Sequence, residues 1–84
     1  MSTHRGDLVD HATLQGVLTR TDERIAQARQ DVNRQREIVA EKESRGLDVR
    51  RAMKALAVFE QILSAHVAER DQLVILVGTA RSPA

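Results

Sequence analysis

Cysteine, tryptophan and tyrosine are absent from this 84-residue chain, phenylalanine and proline occur once each, and there are four glycines. Without cysteine there is no disulfide, no thiolate metal site and no cysteine nucleophile, and the redox compartment is left open. With Phe59 as the single aromatic, nucleic-acid bases have no series of aromatic side chains to stack on. Charge of one sign is also lacking: 13 Lys and Arg stand against 12 Asp and Glu, a net charge of +1. Bulk electrostatics therefore give no reason to invoke nucleic acid or an anionic membrane. Long hydrophobic runs are missing too. The longest, Leu73 to Val77, is far too short to cross a bilayer, and the polar start "MSTHRGDLVDHATLQ" has no apolar segment of the kind a secretory signal needs. The expectation is a soluble, cytoplasmic protein with no membrane partner.

What is present is Ala, Leu, Val, Arg, Glu and Gln in abundance, a composition suited to long helices. A chain of this length makes one small domain and buries a modest fraction of its surface when it folds alone. The spacing predicts an all-α protein of two long helices. In the first, Leu14, Leu18, Thr21, Ile25, Ala28, Val32, Gln35 and Val39 recur at alternating steps of four and three, a narrow apolar seam on a charged helix. That is the seam of a coiled coil. In the second, Val49, Ala52, Leu56, Phe59, Leu63, His66, Arg70, Leu73 and Val77 repeat the spacing, but Met53, Val58, Ile62, Val74, Ile75 and Leu76 lie off it. Each residue turns about 100° round a helix axis, so "LVILV" encircles the second helix, and one neighbouring helix cannot cover it.

Between the seams stands "ESRGLDVRRA". Gly46 supplies the left-handed conformation that ends a helix, Leu47 stands where an apolar contact accompanies such a cap, and Asp48 caps the next helix while Leu47 packs near Ala52. So short a connection favours antiparallel neighbours. Folding back there pairs positions whose numbers sum to roughly 94 or 95. Val39 then meets Leu56, Gln35 meets Phe59, Val32 meets Leu63, Ile25 meets Arg70 and Leu18 meets Val77, and these apolar residues form the expected intra-hairpin core. The first helix is placed at about 10–45 after a flexible tail over 1–9, with Asp7 and Asp10 as competing caps and Thr19 or Thr21 as later starts beyond Gly16. The turn is 46–48, the second helix about 48–77, and Gly78 reads as a C-cap before a disordered tail over 78–84.

His66 and Glu69 are three apart, but the di-iron carboxylate motif is Glu-x-x-His, and Ala28 rather than a carboxylate faces His66 in this register. A structural histidine is the plainer reading. Arg70, on the same stripe, needs a carboxylate such as Asp22, Glu23 or one from another subunit, or else reaches water along its stem. With Gln35 and His66 it could also fix register and partner choice, as buried polar positions do in some coiled coils. Lys42, Arg45, Arg50, Arg51 and Lys54 gather at the turn among Glu41, Glu43 and Asp48, so Arg45, Arg50, Arg51 and Lys54 could meet an anion or an acidic partner. Ser64 and His66 point to different helix faces, and there is no Gly-rich loop or carboxylate pair, so neither an enzyme nor a cofactor is expected.

The stretch "ARQDVNRQREIVAEKESRGLDVRRAMKALAVFEQILSAHVAERDQL" resembles a group of small helical-hairpin proteins of soil-dwelling alphaproteobacteria that carry no assigned activity. The shared positions are Gln35, Arg36, Gly46, Asp48, Ala52, Leu56, Leu63, His66 and Arg70, over about half of the chain. The resemblance implies a hairpin fold and a bacterial source. The whole reading is an antiparallel hairpin that self-associates, most simply as a dimer forming a four-helix bundle, with Val58, Ile62, Val74 and Ile75 at the subunit interface. Its function is that of a binding or scaffolding module for proteins. The alternative is a small regulatory protein that brings the basic tip to nucleic acid.

Overall fold

The computed structural model describes residues 3–81, and the side chains of residues 11–79. It consists of two α-helices, α1 (Thr3–Ser44) and α2 (Arg50–Arg81), packed against each other as a hairpin. The only proline, Pro83, follows both helices, and the residue types between the ends favour continuation, so each helix runs unbroken. The result is a rod of 66 × 17 × 16 Å with a radius of gyration of 19.0 Å, against about 12 Å for a compact domain of this length. At about 1.5 Å per residue, α1 outruns α2 by roughly 15 Å, so its N-terminal end projects past the end of its partner.

Gly46 takes φ +70° and ends α1 with the paired bonds of a Schellman cap. The Leu47 N–H donates to the Lys42 carbonyl at 2.9 Å and the Gly46 N–H to the Glu43 carbonyl at 3.0 Å. Leu47, expected to make an apolar contact, stays largely open. The residues it would pack on, Glu41 and Lys42, are charged, and Leu47 is left 47% exposed. The second helix starts at Arg50, slightly later than expected, its first backbone bond running from the Met53 N–H to the Val49 carbonyl at 2.8 Å. Asp48 caps from just outside, its Oδ1 accepting the Arg50 N–H at 3.0 Å.

Both outer boundaries differ from expectation. α1 begins at Thr3 instead of near Asp10, so residues 3–9 of the expected tail are helical. Gly6 costs about 1 kcal/mol relative to Ala, too little to stop a helix that continues beyond it. α2 passes through Gly78 to Arg81, so Gly78 is not a C-cap. Thr79 Oγ1 donates to the Ile75 carbonyl at 2.9 Å across that turn. Residues 1–2 and 82–84 of the expected tails lie outside the described residues.

Thr21, Ile25, Ala28, Val32, Val39, Ala52 and Val77 are buried between the helices. Of the expected core positions, Ile25, Val32, Val39 and Val77 are among them, while Leu18, Leu56, Phe59 and Leu63 are half-buried. Small side chains fit within the seam, and the larger ones project past its edges where two helices leave them uncovered. Register is visible across the hairpin. Arg36 meets Glu60 at 3.3 Å and Arg70 meets Asp22 at 3.9 Å, on either side of the expected sum, and Val32 and Leu63 line one shallow groove, whereas Gln35 bonds to Ala52, seven residues nearer the turn than the expected Phe59.

The two glycines test these roles in opposite directions. Gly46→Ala forces a Cβ into left-handed backbone and should cost about 1–2 kcal/mol, although the space around it is open. Gly78→Ala places a Cβ on helical backbone in open space and should gain up to about 1 kcal/mol. Urea unfolding followed by circular dichroism measures both, and a loss at Gly78 would show that α2 ends there in solution.

Candidate functional site

The hairpin offers three surfaces with distinct chemistry: the turn, the polar positions within the seam, and the outer face of α2. At the turn, Asp48 holds Arg50 through Nε to Oδ1 at 3.1 Å and Nη2 to Oδ2 at 2.8 Å, a two-point contact between side chains two residues apart. The Arg50 side chain, and after it the Arg50 backbone N–H, keeps the Asp48 carboxyl below its ordinary value, and Asp48 in turn raises Arg50. Arg45 lies 3.7 Å from Glu41. Among the four basic residues singled out at the tip, Arg45 and Arg50 are therefore partnered locally, while Arg51 and Lys54 have no ion-pair partner among the described residues. Asp48, Arg50, Arg51, Met53 and Lys54 line an open depression of about 540 Å³.

Within the seam, Gln35 donates through Nε2 to the Ala52 carbonyl at 2.9 Å. This bond ties the C-terminal third of α1 to the first turn of α2, in place of the expected meeting of Gln35 with Phe59. Arg70 lies between Asp22 at 3.9 Å and Asp71 at 3.6 Å. Asp22 is one of the partners its position called for, yet the Arg70 Nε is buried with no hydrogen bond. Thr21 is fully buried and its hydroxyl has no partner either. His66 is half-buried, and no three His, Cys, Asp or Glu side chains among the described residues are grouped to hold a metal ion.

The outer face of α2 is where apolar surface stays open. Val58 is 53% and Ile62 43% exposed, and Met53, Val74, Ile75 and Leu76 are also open to solvent. The four residues expected at an oligomer interface are thus exposed, but they do not share one stripe. Val74 lies about 120° round the helix from Ile62. Ile75 lines a shallow groove of about 230 Å³ with Gln72 and Leu76, and these two continue the Val58 and Ile62 stripe toward the end of α2. The sequence marked α2 as apolar on several sides; which side stays open depends on where α1 lies. Leu47, which the sequence assigned to the turn, adds an exposed apolar side chain at the opposite end.

No helix among the described residues is long and apolar enough to cross a membrane. Comparison with family models, with curated proteins and with solved structures finds no match to this chain. Residue roles rest accordingly on its own geometry.

Two measurements test the polar positions. Thr21→Val removes a buried hydroxyl that has no partner and keeps its shape, so it should raise stability by about 1 kcal/mol, read as a higher urea midpoint at unchanged slope; a lower midpoint would show that the hydroxyl is paired in solution. Asp48 has a depressed folded-state value, so its contribution is present above its ordinary 3.8 and fades as pH falls through the lower folded value. Between about pH 5 and about pH 2 the wild type should lose more stability than Asp48→Asn, whose side-chain oxygen still accepts the Arg50 N–H but does not titrate. Equal losses would remove Asp48 as a source of acid sensitivity.

Proposed function

We propose that the chain is a non-enzymatic protein–protein interaction or scaffolding module that associates with itself, most simply as a two-fold dimer in which two hairpins form a four-helix bundle. The observation that carries this reading is the set of large apolar side chains left open on α2, with Val58 and Ile62 on one stripe. The rod exposes 6573 Å², against about 5,000 Å² for a compact monomer of its mass. A stable interface takes about 800 Å² from each partner, so covering the open face of α2 is within what a second copy can supply. Self-association also suits the half-buried Leu56, Phe59 and Leu63, whose outer edges a neighbouring helix would shield. A different protein could dock on the same face. A bacterial source belongs to the same proposal, from the resemblance of the hairpin.

The alternative, nucleic acid at the basic tip, draws on Arg51 and Lys54, which line the depression at the turn without an ion-pair partner. Asp48 and Glu41 offset Arg50 and Arg45 there, which reduces the field a phosphate backbone would meet. Binding at that tip would show a steep loss with salt.

Light scattering after size exclusion, over a wide concentration range, tests the proposal. Twice the 9.4 kDa chain mass is expected, with Val58→Asp and Ile62→Asp each shifting the mass toward the monomer, because each would bury an unpaired charge. A wild-type monomer at every concentration would overturn self-association and leave the α2 face to another protein.

A further inference from the structure

Along the open flank of α2, Arg51, Ala55, Val58, Ile62, Ala65 and Glu69 follow one another at steps of four, three, four, three and four. That spacing places all six on one stripe. The stripe lies about a quarter turn from the seam that holds Ala52, Phe59 and Val77 against α1, and it is directed away from Glu60, which is occupied by Arg36 across the hairpin. Ala55 is half-buried and the other five are exposed. Arg51 and Glu69 have no ion-pair partner among the described residues, although the hairpin pairs Arg36, Arg45, Arg50 and Arg70 with its own carboxylates.

Read in both directions, the stripe is self-complementary. It begins with a cation and ends with an anion, carries alanine just inside each end, and has two branched apolar residues at its centre. We infer that this stripe binds the same stripe of a second copy, antiparallel about a two-fold axis, with Val58 on Ile62, Ala55 on Ala65 and Arg51 on Glu69 of the other copy. The inference rests on the self-association proposed above and assigns its contact and register.

Each layer follows from its chemistry. The central Val58 and Ile62 layers form the apolar core of the contact, and the two alanine layers beside them let the backbones approach closely. The ion pairs close both ends, one at each end by symmetry, as flanking charges do in coiled coils. Sliding the second copy by one heptad sets Glu69 on Val58 in one direction, or Arg51 on Ile62 in the other, and leaves a charge on an apolar neighbour. A parallel dimer sets Arg51 on Arg51 and Glu69 on Glu69, so like charges meet at both ends. Beyond Glu69, the groove of Gln72, Ile75 and Leu76 runs past the first turn of α2 of the second copy, where the exposed Leu47 of that copy can cover it.

The test uses Arg51→Glu and Glu69→Arg in the full chain, with dimer dissociation followed by light scattering at low salt. Both side chains are exposed, and each single variant should keep wild-type helicity by circular dichroism. Each alone places like charges at both ends and should dissociate on the order of tenfold more readily. An equimolar mixture of the two restores opposite charges at both ends of a heterodimer, and the double variant does so in a homodimer, so both should recover wild-type association. Single variants that associate as tightly as wild type would overturn this contact while self-association stands. Weakening that neither the mixture nor the double variant repairs would overturn the antiparallel register. A monomeric wild type would overturn the register and the self-association reading together.

Discussion

Two helices lying side by side touch along one stripe each, and every other stripe must face water or a third helix. That constraint governs this molecule. α1 meets it with largely charged and amide side chains around a single seam, Ile38 being its one large apolar side chain left open among the described residues. α2 carries Val58, Ile62, Val74, Ile75 and Leu76 on its remaining sides, and they stay open. The elongated shape has the same origin, because two long helices packed along their length have no compact alternative.

Position along the seam is fixed at the turn. A helix ending in left-handed Gly46 and another starting just after Asp48 leave few conformations for the chain between them, and the reversal brings the seams together. The bond from Gln35 to the Ala52 carbonyl and the ion pairs of Arg36 and Arg70 lie at separate points along the rod. Exposed ion pairs contribute little to stability, about 0–1 kcal/mol each. Thr21 and the Arg70 Nε act in the opposite direction, as buried polar atoms without partners that a purely apolar seam would not carry.

Much of the architecture was legible in the residues. Steps of three and four gave two helices, and Gly46 with Asp48 gave the turn and the antiparallel pairing. The ends were less legible. Gly16 and Gly78 look like punctuation, yet both lie within helices, because one glycine costs too little to end a helix that nothing else interrupts. Leu47 is about half exposed. The motif supplies the cap bonds, but Glu41 and Lys42 give it no apolar surface to meet. Gln35 was visible as a polar residue on a stripe, while its bond to a carbonyl on the other helix depended on how far its side chain reaches across.

The sequence by itself determined the helices, their reversal and the surplus of apolar residues on the second, since those depend on local backbone preference and on spacing along one helix. Only the tertiary structure decided which apolar residues are spent within the hairpin and which stay open. That choice depends on the rotation of each helix about its axis once the two have packed. It buries Ala52 and Val77, half-covers Phe59 and Leu63, and leaves Val58 and Ile62 facing outward.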